Sequence, residues 1–284
     1  MLKLPSYASP LERVWHYAFI AICAGVFLFL IAPLIVIIPL SFNSLPYFTF
    51  TEEMLSLEKE AFSLRWYEDF WSRDVWRQSI VNSLFIAVCS TVLATALGTI
   101  AALGLSRPHM PFRAFIMGLL ISPMIVPLII TAAGIFFFYA QIGLTGTYLG
   151  IILAHTALGT PFVVITVTAT LIGFDHSMTR AAAMCGADPT RVFFKVIMPL
   201  ILPGVISGAL FAFVTSFDEV VVVLFVASVE QQTIPRQMWA GIREQISPTI
   251  LAVATLLIVF SVALLTTIEL LRRRSERLRG VTPA

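Results

Sequence analysis

Charge is scarce in this sequence, and the scarcity decides its class before any motif is read. Only 12% of the 284 residues are Asp, Glu, Lys or Arg, against about a quarter in soluble domains. A water-soluble fold with 58% hydrophobic residues and a mean hydropathy of +0.93 would expose larger apolar patches than water tolerates. Cysteine is also rare. Cys23 and Cys89 lie in apolar runs and Cys185 in a short polar stretch, so no disulfide framework is expected. The histidines, His16, His109, His155 and His176, are too scattered for a zinc site of ordinary spacing. No Gly-x-x-x-x-Gly-Lys-Ser/Thr string is present, so the chain has no phosphate-binding loop of that kind. Gly-x-Ser-x-Gly and His-Glu-x-x-His are missing too, and the chain is not expected to be an enzyme. The ten-residue alternation of a membrane β-barrel is absent, as are internal repeats and low-complexity linkers.

What the sequence does have is long uncharged runs. A helix needs about 20 mostly apolar residues to cross a bilayer, and six stretches meet that length: 17–40, 79–105, 114–140, 147–173, 201–227 and 249–271. They predict an all-α membrane protein of six transmembrane helices. The first run is too long for a signal-peptide core and no cleavage pattern follows it, so it reads as an uncleaved anchor. Twelve of the eighteen Lys and Arg residues fall in the termini and in the loops on that side, among them Arg107, Arg113, Arg180 and Arg191. By the positive-inside rule both termini are expected in the cytoplasm. Residues 1–16 then form a cytoplasmic N-terminus, 17–271 the membrane domain, and 272–284 a basic cytoplasmic tail.

The inner stretch 174–200 holds the strongest pattern. It reads as two short helices around Gly186. Ser177 is a candidate N-cap, and Met178, Ala181, Ala182 and Cys185 share a face at three- and four-residue spacing. Gly186 suits a helix end, and Asp188-Pro189 a fresh N-cap and first position. Val192, Phe193, Val196 and Ile197 make an apolar side, with Arg191 and Lys195 opposite. Such a small-residue face suits docking to a soluble partner; an amphipathic helix lying on anionic lipid is the other reading.

Arg180-Ala181-Ala182, Gly186 and Val196-Ile197-Met198-Pro199 resemble the signature of ATP-binding-cassette (ABC) importer permeases, which has Glu-Ala-Ala, a glycine four residues on, and a hydrophobic-x-Leu-Pro ending. The spacing is intact; Arg180 stands where the family has glutamate. The resemblance implies that this is a coupling loop seated on an ATPase, with Arg180, Ala181, Ala182, Gly186, Asp188 and Arg191 as its working residues. Ser63-Leu-Arg-Trp-Tyr67, Phe217-Asp-Glu-Val-Val-Val and Thr233-Ile-Pro-Arg-Gln-Met-Trp239 resemble segments of the polyamine-importer subfamily. The likeness implies a type I importer permease of MetI-like architecture. Its partners would be ATPase subunits carrying the ATP and Mg, a second permease, an extracytoplasmic solute-binding protein and membrane lipid. No nucleic-acid partner and no cofactor on this chain are expected.

Asp218 and Glu219 fall inside the fifth run, where an acid costs about 2.5–3.5 kcal/mol on insertion scales. Read as neighbours on one helix, they point about 100° apart. Two roles stay open at this stage: a structural contact within the bundle, or lining of a solute path with Ser216 and preference for a cationic solute. Spermidine or putrescine is the expected cargo; an opine, amino acid, iron or organophosphonate importer is the alternative, and a stand-alone secondary transporter a more distant one. Prolines 33, 39, 123, 127, 161, 203 and 248 read as kinks or hinges. Ile234, Met238, Trp239, Ile242 and Ile246 share one side of an outer helix, with Trp239 an interfacial anchor or part of a surface near the binding protein.

Overall fold

The computed structural model describes residues 9–107, 109–172, 174–175, 177–244 and 247–278, the side chains of 244, 268, 269 and 271–278 excepted. Its helices are α1 (Pro10–Leu40), α2 (Glu52–Leu55), α3 (Arg65–Ser72), α4 (Asp74–Leu105), α5 (Arg113–Ile125), α6 (Leu128–Ile142), α7 (Tyr148–Ile172), α8 (Ser177–Met184), α9 (Pro189–Val192), α10 (Met198–Phe217), α11 (Val221–Val226), α12 (Ile234–Glu244) and α13 (Thr249–Leu278). Among the described residues, five helical stretches are long and apolar enough to cross a membrane, six if the bent pair α5–α6 is one span. The chain divides into two compact units, residues 73–245 and residues 1–72 with 246–284.

Two of the expected spans are broken. The third, read as one helix over 114–140, turns through 102° between α5 and α6. Pro127 drives the preceding residue out of the helical region, and Val126 is extended at φ −71°, ψ 134°. The fifth, read as continuous over 201–227, ends at Phe217 and resumes at Val221 as the six-residue α11. The tail expected from 272 begins as helix, because α13 continues to Leu278.

In the 73–245 unit the core is a close trio of α4, α7 and α10. Over the most apolar stretch of α7, 67% of residues are buried, which makes it the central helix. Small residues bring the backbones together, as membrane helices require when apolar surface alone gives no drive to associate. Gly98 of α4 lies against Val163, Gly159 of α7 against Ala212 and Ala94, and Gly204 and Gly208 of α10 against Thr170, Thr166 and Val163. A second cluster joins α6, α7 and α11 through Ala132, Ile151, Val222, Val223 and Val226.

The other unit contains α1–α3 and α13. Ser9 and Glu12 form a reciprocal capping box at the start of α1, with Pro10 in the first position. Apart from Leu40, α1 has no buried residue and it is apolar all round, the pattern of a lipid-facing span. α13 packs against α3 and α1, and the Thr249 hydroxyl donates to Asp69 at 2.7 Å. Residues 63–67 hold residues 41–44 through four hydrogen bonds. Ser63 N–H donates to Phe42 O at 2.7 Å, Arg65 to Ser44 O at 2.9 Å and Trp66 Nε1 to Asn43 O at 2.7 Å, while the Ser41 and Tyr67 hydroxyls meet at 2.7 Å.

Candidate functional site

The loop over 174–200 folds as its residues direct, with two departures. Ser177 is the first residue of α8 rather than its cap; its N–H and hydroxyl are donated to the Asp175 carboxylate at 2.8 and 2.6 Å. α8 ends in paired bonds from Gly186 N to Ala183 O and from Ala187 N to Ala182 O, a closure that needs a left-handed residue. Gly186 supplies it at φ +82°. Asp188 then caps α9, its carboxylate accepting the Arg191 N–H at 2.7 Å, with Pro189 next.

The second departure is that α9 does not form a separate hairpin arm. Residues 193–197 are π-helical and run straight into α10, giving one helical run over 189–217. Pro199 has no N–H for the Lys195 carbonyl and its ring crowds that carbonyl. The preceding turn opens, and Met198 N–H bonds Phe193 O, five residues back. The loop therefore leads into a core helix through a π turn, with no non-helical linker between them. On α8 no residue is buried; Arg180, Ala181, Cys185 and Gly186 are exposed and Ala182 is half-covered. Asp188 and Arg191 are exposed too. His176 of this loop lies outside the described residues.

Asp218 and Glu219 occupy the gap between α10 and α11, not a continuous helix, and the break gives them different surroundings. Glu219 is 6% exposed, and its carboxylate accepts the Val222 N–H at 2.8 Å. It thus satisfies a free N–H at the start of α11. Asp218 ends α10 and is exposed. Ser216 is turned inward, 5% exposed, with its hydroxyl 2.8 Å from His155 Nδ1. His155 is itself buried in α7, and its Nε2 has no partner among the described residues. Of the three residues expected on a solute path, Asp218 alone is exposed.

A third feature escaped the sequence reading. Asn82 of α4, 1% exposed, donates to Glu230 O at 2.8 Å and Gln232 O at 2.9 Å, and accepts from the Tyr148 hydroxyl at 2.8 Å. Ser83 accepts the Ile234 N–H at 2.8 Å, and Arg236 donates to Ala227 O and Ser228 O. The segment after α11 is thereby fastened to α4 and α7. An asparagine inside an otherwise apolar helix was the available signal. On α12 the expected single apolar side is divided. Ile234 is buried, Trp239 and Ile242 are exposed, and Ile246 lies outside the described residues.

The chain is similar to several known transport proteins. The family described as "Binding-protein-dependent transport system inner membrane component" matches residues 94–277. The spermidine/putrescine transport system permease protein PotC of Haemophilus influenzae is 32% identical over 88% of this chain and 95% of its own. The putrescine transport system permease protein PotI of Escherichia coli K12 is 31% identical over 100% and 99%. A crystal structure of a bacterial ABC transporter involved in the import of the acidic polysaccharide alginate superposes with a TM-score of 0.73. It has 16% identity and covers 93% of this chain and 99% of that one, a likeness of fold. With the family match taking in the end of α4, all of α7 and α10 and the 174–200 loop, the chain belongs to the binding-protein-dependent inner-membrane components, the permease subunits of ABC importers.

Proposed function

We propose that this permease carries a polyamine, spermidine, putrescine or a related amine, and that Asp218 is the residue of this chain that meets the cation. The observation that carries the reading is the separation of the two acids. Glu219 is occupied by the backbone of α11, whereas Asp218 is exposed at the break between α10 and α11. An exposed carboxylate within the fifth apolar run suits a cavity or a cationic partner. Full-length likeness to spermidine and putrescine permeases supports the same cargo.

The loop is read as the ATPase contact. Met178, Ala181, Ala182 and Cys185 form its small face, Arg180 stands on the other side of α8, Gly186 and Asp188 shape the turn, and Arg191 follows. Because 189–217 is one helical run, a displacement of the loop that leaves the π turn at 193–197 intact passes along α10 to the Asp218 break. ATP and Mg belong to the partner ATPase. A second, homologous permease and an extracytoplasmic binding protein complete the assembly, with both termini of this chain in the cytoplasm.

The test is uptake of labelled spermidine and putrescine by cells or vesicles holding the whole importer, with Asp218→Asn, Glu219→Gln and wild type compared at equal assembly. Loss of one charge-assisted hydrogen bond predicts uptake about tenfold or more lower for Asp218→Asn. Undiminished uptake by a fully assembled D218N importer would sink the cation role. A bound amino acid or metal in the copurified binding protein would replace the amine as cargo.

A further inference from the structure

At the loop end of the 73–245 unit lies a cavity of about 790 Å³ with two contrasting walls. One wall is apolar, built from Leu103 at the end of α4, Leu171 at the end of α7, and Phe193 and Ile197 at the approach to α10. The other carries Arg107 and Arg180. Neither guanidinium has a hydrogen-bond or ion-pair partner among the described residues.

The position of Arg180 on α8 matters. Residues step by about 100° around a helix, so Thr179, Arg180 and Ala183 share one side, and these are the α8 residues that line the cavity. Met178, Ala181, Ala182 and Cys185 form the opposite side. Arg180 thus points its charge into the recess between loop and spans and away from the small-residue face.

We propose that this recess is a binding site for one anionic phospholipid, its phosphate held by Arg107 and Arg180 and an acyl chain laid along Leu103, Leu171 and Ile197. Paired cations at the ends of membrane helices favour an anionic headgroup. An acidic protein side chain would satisfy the charge but would leave the apolar wall uncovered; a phospholipid covers both. Arg107 follows the C-terminus of α4 and Arg180 lies on the loop that runs into α10, so a bridging headgroup would tie the loop to the spans.

The test uses the full chain, with the subunits that copurify, in nanodiscs of phosphatidylcholine mixed with phosphatidylglycerol. Retained lipid is read by native mass spectrometry. Wild type is expected to keep phosphatidylglycerol, and Arg107→Gln with Arg180→Gln to lose the preference by about thirty-fold, the equivalent of about 2 kcal/mol from two basic contacts. The corresponding pair of lysine variants is expected to keep most of it. Equal retention by wild type and the glutamine pair would overturn the site. So would displacement by glycerol phosphate as readily as by the whole lipid, which would leave no role for the apolar wall. Loss of the ATPase from the glutamine pair with lipid retention unchanged would overturn it as well, assigning the arginines to a protein carboxylate.

Discussion

Replacing Gly208 by alanine should destabilise the protein, although alanine is the better helix former. A Cβ at 208 would lie 2.7 Å from Val163 Cα and 2.5 Å from Thr166 Oγ1. Carbon pairs rest at about 3.5–4.0 Å, so the shortfall against Val163 approaches an ångström. Val163 Cα is backbone in the middle of α7 and cannot rotate aside. Its side chain is fully buried and already meets the position of Gly98 from the other helix. The Thr166 hydroxyl is engaged with Phe162 O at 2.9 Å. Relief must come from parting α10 and α7, an overpacking cost of about 1–3 kcal/mol. Alanine's helix advantage of about 0.5–1 kcal/mol offsets part, leaving a net loss centred a little above 1 kcal/mol and at most about 2.5 kcal/mol.

Gly134 on α6 is the internal control, since nothing lies within 4 Å of an added Cβ there. Gly134→Ala should be neutral or stabilising by up to about 1 kcal/mol. Detergent-titrated unfolding of the purified protein, followed by tryptophan fluorescence, would measure both. A Gly208→Ala protein as stable as wild type, or a Gly134→Ala protein equally weakened, would refute close helix contact as the reason for these glycines.

Other expectations concern the loop and the outer segments. Asn82→Leu removes its donated bonds to Glu230 O and Gln232 O and the one it accepts from the Tyr148 hydroxyl, at about 0.5–1.5 kcal/mol for each bond lost, while the Tyr148 hydroxyl keeps Glu230 O. Amide hydrogen exchange in peptides covering 227–236 should rise sharply, while peptides from α7 stay protected. Gly186→Ala forces a side chain onto φ +82° in otherwise open space, costing about 1–2 kcal/mol in the backbone alone. Binding-protein-stimulated ATP hydrolysis should fall in the reconstituted importer, and Gly186→Asn should fall less. Trp66→Phe removes the N–H held by Asn43 O and should lower stability by about 1 kcal/mol, measured by the same detergent titration; no change would mean that 41–44 is held by other means.

The sequence was most legible where chemistry and geometry coincide at one residue. Asp188-Pro189 announces a cap followed by a first turn, and Gly186 a left-handed residue; both stand where their types placed them. Hydropathy located the spans because a bilayer demands length and greasiness, but it is blind to dihedral angles. Val220-Val-Val-Val-Leu-Phe225 is as apolar as any helix interior, so the break after Phe217 left no mark on it. That break separates Asp218 from Glu219, and a reading that kept them on one helix set them about 100° apart but could not say which is buried. The bend at Val126-Pro127 was written in the proline, though its 102° exceeds an ordinary kink. Asn82, His155 and the Gly204-x-x-x-Gly208 spacing were each visible, but their importance depends on partners 34 to 150 residues away in the chain, which spacing along one helix cannot supply.

The π turn at 193–197 carries a consequence for how motion is divided. Such a turn holds an extra residue relative to the α-helix it interrupts. Annealing it to α geometry would rotate everything ahead of it by about 100° and shift it by about 1.5 Å, while α10 keeps its seat against α7. A flexible linker would let the loop drift through a continuum of positions. A register defect permits two settings with nothing between them, so residues 177–192 are mounted on something closer to a detent than a spring.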